Sequence, residues 1–148
     1  MGDDGFGIHV YNRLKDLELP GGVSIFDAGI SGFKSISLME NCKKVYIIDS
    51  ISYQETEGKI HRYKFEEFVD FVNLENDYSG HSSGVNELLK ILQNVEILNP
   101  FPEIIIYCAE ICNIAKFSST LSPVLYKSVD DIIIKISEEI TLKANPNG

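Results

Sequence analysis

The sequence predicts an α/β fold: a three-layer α/β/α sandwich around a mostly parallel, twisted sheet. Three observations carry that prediction. Val45-Tyr46-Ile47-Ile48 and Ile104-Ile105-Ile106-Tyr107-Cys108 are short, nearly continuous apolar runs, as expected of strands covered on both faces. Segments with apolar residues at helical spacing lie before, between and after them. Helices alternating with buried strands are the signature of a sheet layered between helices.

Taken in order, the first element is a helix with Phe6, Val10, Leu14 and Leu17 on one face. Asp3 and Asp4 stand before it among glycines, where carboxylates cap backbone N–H groups and meet the positive end of the helix dipole. One carboxylate suffices for a cap, so a second beside it invites a cation. Leu19-Pro20-Gly21-Gly22 ends the helix in a turn. Val23-Ser24-Ile25-Phe26 reads as a short strand running into Asp27-Ala28-Gly29, and Ile30 to Gly32 as a loop. A second helix runs from Phe33 to about Asn41, with Ile36 and Met39 inward. The central strand Val45–Ile48 ends in Asp49-Ser50.

After a polar stretch, Lys59 to Phe65 alternates and reads as an edge strand. Glu66 to Leu74 fits a short helix or none. His81-Ser82-Ser83-Gly84 leads into a helix that buries Val85, Leu88, Leu89 and Leu92, with Ser82 or Ser83 as its cap. Pro100 and Pro102 frame a turn before the Ile104–Cys108 strand, and residues 111–120 read as loop. Ser122-Pro123 is a strong helix start. The helix it opens carries Val124, Leu125, Val129, Ile132, Ile133, Ile136 and Ile140.

At 148 residues the chain fits one domain with a real core. A formal charge of −9 argues against a nucleic-acid or anionic-membrane surface. No apolar run is long enough to span a bilayer, and no secretory leader is visible. The three cysteines, Cys42, Cys108 and Cys112, fit a reducing cytoplasm and buried thiols, and none has partners at zinc-site spacing. GxxxxGK[ST], GxGxxG and GxSxG are all absent, so neither nucleotide binding nor serine catalysis is indicated. Without a conventional nucleophile, any hydrolysis must depend on a metal.

In parallel sheets ligands bind beyond the carboxyl ends of the strands. Asp49 and Asp27 each follow a strand, His81 opens a helix, and Asp4 would follow a strand if one preceded it. Taken singly, each has a bland reading: a turn acid, a βα turn, a surface histidine, a helix cap. Gathered on one edge, carboxylates and an imidazole match the mixed oxygen and nitrogen preference of first-row divalent metals. An incomplete protein ligand set also leaves positions open for chemistry.

The order GDDGFG, DAGISG, YIIDSI, HSSGVNELL and LSPVL resembles the hydrogenase maturation proteases over nearly the whole chain. The resemblance implies a single domain over residues 1–148. It implies a cytoplasmic, monomeric aspartic-type endopeptidase that removes the C-terminal extension of the nickel–iron hydrogenase large-subunit precursor. By position, the family's nickel-binding acids and histidine fall on Asp4, Asp49 and His81. The nickel is then supplied by the substrate and is not stably held by the enzyme. The abundance of Ile and Lys fits an archaeal member of the family, and the resemblance then implies the large subunit of a deazaflavin-reducing hydrogenase as substrate. Family members begin with an apolar strand and a Gly-Asn turn that this sequence does not show. The first strand is therefore expected to be missing from this chain, through a translation start placed too late. Loss of a strand near the sheet centre would leave open pairing edges and a destabilised or inactive protein. Two other readings compete: a paralogue that binds the large subunit without cutting it, and a small-molecule metallohydrolase with its own zinc or manganese.

Overall fold

Helical and strand periodicities sort the chain into eight elements: α1 (Phe6–Lys15), α2 (Gly32–Met39), β1 (Lys44–Ser52), β2 (Ile60–Lys64), α3 (Phe65–Leu74), α4 (Ser83–Asn94), β3 (Glu103–Ile111) and α5 (Pro123–Ala144). They come from a computed structural model that describes residues 5–27, 32–52, 56–74, 83–94, 96–111 and 121–144. The described strands form one sheet in the order β1-β3-β2, with β1 parallel and β2 antiparallel to β3.

β3 is the axis of the molecule, and every residue from Ile104 to Ile111 is buried. Because successive strand side chains face opposite ways, β3 feeds two cores. Ile105, Tyr107, Ala109 and Ile111 join Phe6, Val10 and Leu14 of α1 and Leu125, Val129, Ile132, Ile133 and Ile136 of α5. Ile104, Ile106 and Cys108 join Ile36 and Met39 of α2, Phe68 of α3, and Leu88, Leu89 and Leu92 of α4. Helices thus cover both faces, as the periodicity required. Each fully buried aliphatic side chain of α5 contributes about 1.5–3 kcal/mol, so this helix is held by its face rather than by propensity. Ser122 caps it: its Oγ accepts the Leu125 N–H at 3.3 Å.

A polar clamp also fastens α5 to the sheet. Glu139 Oε1 accepts from Arg62 Nε of β2 at 2.6 Å and from the Tyr107 hydroxyl of β3 at 3.0 Å. Burial pushes the Glu139 carboxyl up, but the Arg62 bond, with Tyr46 and Tyr107 beside it, outweighs this and holds the carboxyl below its usual range. The Tyr46 hydroxyl and Glu139 Oε2 are buried without a hydrogen-bond partner among the described residues. Tyr46 therefore acts on the carboxylate by proximity rather than through a formed bond.

Several expectations need correction. Residues 23–27 form no strand, and Phe26 is 58% exposed. A strand exists only through a ladder partner, and these residues have none among the described ones, although Ile25 still packs on the first core. Among the described strands the middle one is β3 rather than β1, since β1 pairs only with β3 there and its residues 44–49 are only half-buried. α1 stops at Lys15, so Leu17 lies beyond its last turn and is 45% exposed. Val124, in the first turn of α5, is 47% exposed. Cys108 is buried, whereas Cys42 is half-buried. The ambiguous stretch after β2 is helical, because Phe68 and Phe71 pack on Tyr63 of β2 and Phe68 enters the second core.

Candidate active site at the carboxyl edge of the sheet

β1 and β3 run parallel, so their carboxyl ends share one edge, and four chain segments converge on it. α1 contributes the first. Gly7, in its opening turn, lies so close to β1 that an added Cβ would stand 2.9 Å from the Ile48 carbonyl oxygen. The glycine lets two backbones touch one residue before Asp49. The N-cap of α1 is the buried Gly5, so the cap position itself is not an acid.

α5 contributes the second segment. Arg13 meets Asp130 at 2.6 Å and the His9 ring meets Tyr126 edge-on at 5.7 Å, in one shared register. α1 and α5 therefore run side by side in the same direction, with both N-termini at this edge. The Arg13–Asp130 pair is exposed and serves here as a marker of register rather than a source of stability.

The third segment is α3. Phe65, at the start of α3, packs on Phe101 just ahead of β3, at the opposite edge. Phe68 and Phe71 then pack on Tyr63, opposite Ile106 in the middle of the sheet. α3 thus climbs toward the carboxyl edge.

Asp49 belongs to the fourth segment, β1 itself. It sits inside the strand rather than after it, three residues before Ser52, and pairs with Cys108. Its Oδ1 accepts the Ser50 N–H at 2.8 Å, which fixes the carboxylate's orientation. Burial pushes the Cys108 thiol up, and the Asp49 charge adds to this, so Cys108 stays protonated and is not a nucleophile.

Of the residues expected at the site, Asp49 is placed at this edge. Asp4 and His81 lie outside the described residues, as do Asp3, Gly29, Ser82 and Cys112. Asp27 is exposed at the end of the non-strand segment 23–27. Among the described residues no three metal-ligating side chains cluster.

One pair at this edge escaped the sequence reading. Glu110 of β3 is completely buried, and its Oε1 lies 2.6 Å from His61 Nε2 of β2. Its Oε2 accepts the Thr56 N–H at 2.8 Å. The only signal in the sequence was one acid inside an otherwise apolar strand.

Comparison with known proteins gives this arrangement its context. The family profile described as hydrogenase maturation protease matches residues 8–139. A Methanocaldococcus jannaschii chain that carries the name of a hydrogenase maturation protease is 30% identical over 96 residues, 64% of this chain. That match takes in 61% of the relative's length. The hydrogenase 2 maturation peptidase from a Thaumarchaeota archaeon superposes with a TM-score of 0.64 at 25% identity, covering 96% of this chain and 91% of the other. The maturating endopeptidase HybD of Escherichia coli superposes with a TM-score of 0.80 over 97% of this chain and 86% of its own, and at 18% identity it speaks to the fold alone. With its profile matched across most of its length, the chain belongs to the hydrogenase maturation protease family.

Proposed function

We propose that this chain is an endopeptidase that removes the C-terminal extension of a nickel–iron hydrogenase large-subunit precursor after nickel insertion. Asp4, Asp49 and His81 act together, completing the shell of nickel that the substrate brings. Nickel held by the precursor would polarise the scissile carbonyl or acidify a bound water, so that a peptide bond can be cut without an activated nucleophile from the protein. The same arrangement makes cleavage conditional on a filled metal site.

The observation that carries this reading is the contact of Gly7 with the Ile48 carbonyl. It brings the first turn of α1 to the strand that bears Asp49. Two carboxylates and an imidazole suit a borderline divalent ion such as nickel. A monomeric cytoplasmic enzyme of archaeal type completes the reading. No helix among the described residues is long and apolar enough to cross a membrane.

The test is to incubate the protein with nickel-loaded and nickel-free precursor and weigh the products by mass spectrometry. A shortened product from the loaded precursor alone is expected. Unchanged mass in both samples would point to a non-cutting binder, and equal cleavage of both would remove nickel from the reaction. A stoichiometric metal retained by the purified chain after chelation would instead favour a small-molecule metallohydrolase.

A further inference from the structure

Glu110 is an anomaly in β3. It is a fully buried acid on the same sheet face as Cys108, one strand over from Ile51 and two residues beyond the level of Asp49. Burying a carboxylate carries a large desolvation cost, and an apolar residue of similar size would ordinarily serve the core better. Both of its oxygens are committed, one to His61 and one to the Thr56 amide. Its backbone is committed to the same stretch: Gly58 N–H donates to the Glu110 carbonyl at 2.8 Å, and Glu110 N–H donates to the Lys59 carbonyl at 2.9 Å. From the other side, the Ser128 hydroxyl of α5 donates to the Gly58 carbonyl at 2.6 Å. Gly58 has φ +85 and no room for a side chain against Val124 and Ser128. Residues 56–59 are therefore a strap, held by β3 on one side and by α5 on the other, at the edge where β1 delivers Asp49.

We propose that Glu110, with His61, is a positioning residue that fixes this strap as a preformed wall for the extended peptide to be cleaved. The inference rests on the endopeptidase reading above. A strap held in advance does not have to be ordered when substrate arrives, so its benefit falls on binding rather than on the bond-breaking step. His61 shields and engages one oxygen, and the Thr56 amide is the group that the other oxygen holds in place.

The test compares wild type with E110L, which keeps the bulk and removes both bonds, and with E110Q, whose amide can still accept from the Thr56 N–H and reach the His61 ring. Three quantities are read on the folded full chain: amide hydrogen exchange at residues 56–59, Kd for nickel-loaded precursor, and KM and kcat for its cleavage. For E110L the expected result is faster exchange at Thr56 and Gly58 with β3 amides unchanged. Kd and KM should rise about tenfold with kcat within about twofold, and E110Q should recover most of the loss. If E110L does not fold, E110Q and H61Q carry the test, with H61Q expected to raise Kd by a smaller factor. Unchanged Kd in a variant whose strap exchanges freely would overturn the proposal, as would a fall in kcat with KM intact. Wild type that binds the precursor without cutting it would defeat the endopeptidase reading, yet leave the Kd comparison decisive for Glu110.

Discussion

Replacing Gly7 with Ala sets two known effects against each other at the contact that builds the site. In an exposed helix interior this change stabilises by about 0.8–1 kcal/mol, because Ala loses less backbone entropy. Here the new Cβ would lie 2.9 Å from the Ile48 carbonyl oxygen, where ordinary contact begins at 3.4 Å. The obstacle is strand backbone and cannot rotate aside, so α1 must retreat by roughly 0.5 Å. Its buried Phe6, Val10 and Leu14 must shift with it. Overpacking of this kind costs about 1–3 kcal/mol, so the net effect should be a destabilisation of up to about 2 kcal/mol. With a urea m-value of about 1–3 kcal/mol/M, the unfolding midpoint should fall by several tenths of a molar or more. On the proposed reading the shift also moves the N-terminus of α1 relative to Asp49, and catalytic misplacements approaching 1 Å cost about a hundredfold in rate. G7A should therefore lose more in precursor cleavage than its stability explains. G21A is the control, since nothing lies within 4 Å of its added Cβ. A G7A protein more stable than wild type, with undiminished cleavage, would show that the helix and strand do not touch here.

Three further outcomes follow from the structure. G58A should destabilise by about 2 kcal/mol or more in urea unfolding, from a strained positive φ and a collision with Val124, and an unchanged midpoint would contradict it. E139Q should lower the thermal midpoint near neutral pH by a few degrees, since a half-exposed Arg62 limits the clamp to about 1 kcal/mol. Because the Glu139 carboxyl is held below its unfolded value, this contribution is present above the unfolded pKa and disappears as pH falls through the folded one; a gap that widened on acidification would refute the assignment. Cys108 should resist alkylation in the folded protein and react only on unfolding, read by mass spectrometry of the digested peptide, and rapid labelling under native conditions would show that the thiol is not sealed against Asp49 and solvent.

What could be read from the sequence depended on how local the cause was. α1, α4 and α5 were legible because one apolar face and one start signal define a helix within its own residues. β3 was legible as a buried strand, and its alternating use by two cores follows from the pleat. Val23–Phe26 has the composition of a strand and is none here, because a ladder needs a partner that composition does not supply. Asp49 was found from its place after an apolar run, although the strand continues three residues beyond it once β3 pairs with it. The Glu110–His61 pair joins residues 49 apart in sequence across an antiparallel ladder, and nothing local announces it. The closeness of α1 to β1 was equally hidden: Gly7 shows only that a side chain is absent, not which backbone occupies the space.

The proposed convergence of Asp4, Asp49 and His81 on one ion is tested at the metal itself. X-ray absorption at the nickel edge should be recorded on the nickel-loaded precursor alone, with wild-type protein, and with D49N or H81A. The account predicts that wild type adds oxygen and nitrogen scatterers to the nickel shell and that each variant adds fewer. A nickel spectrum unaltered by the wild-type protein in a demonstrated complex would contradict it.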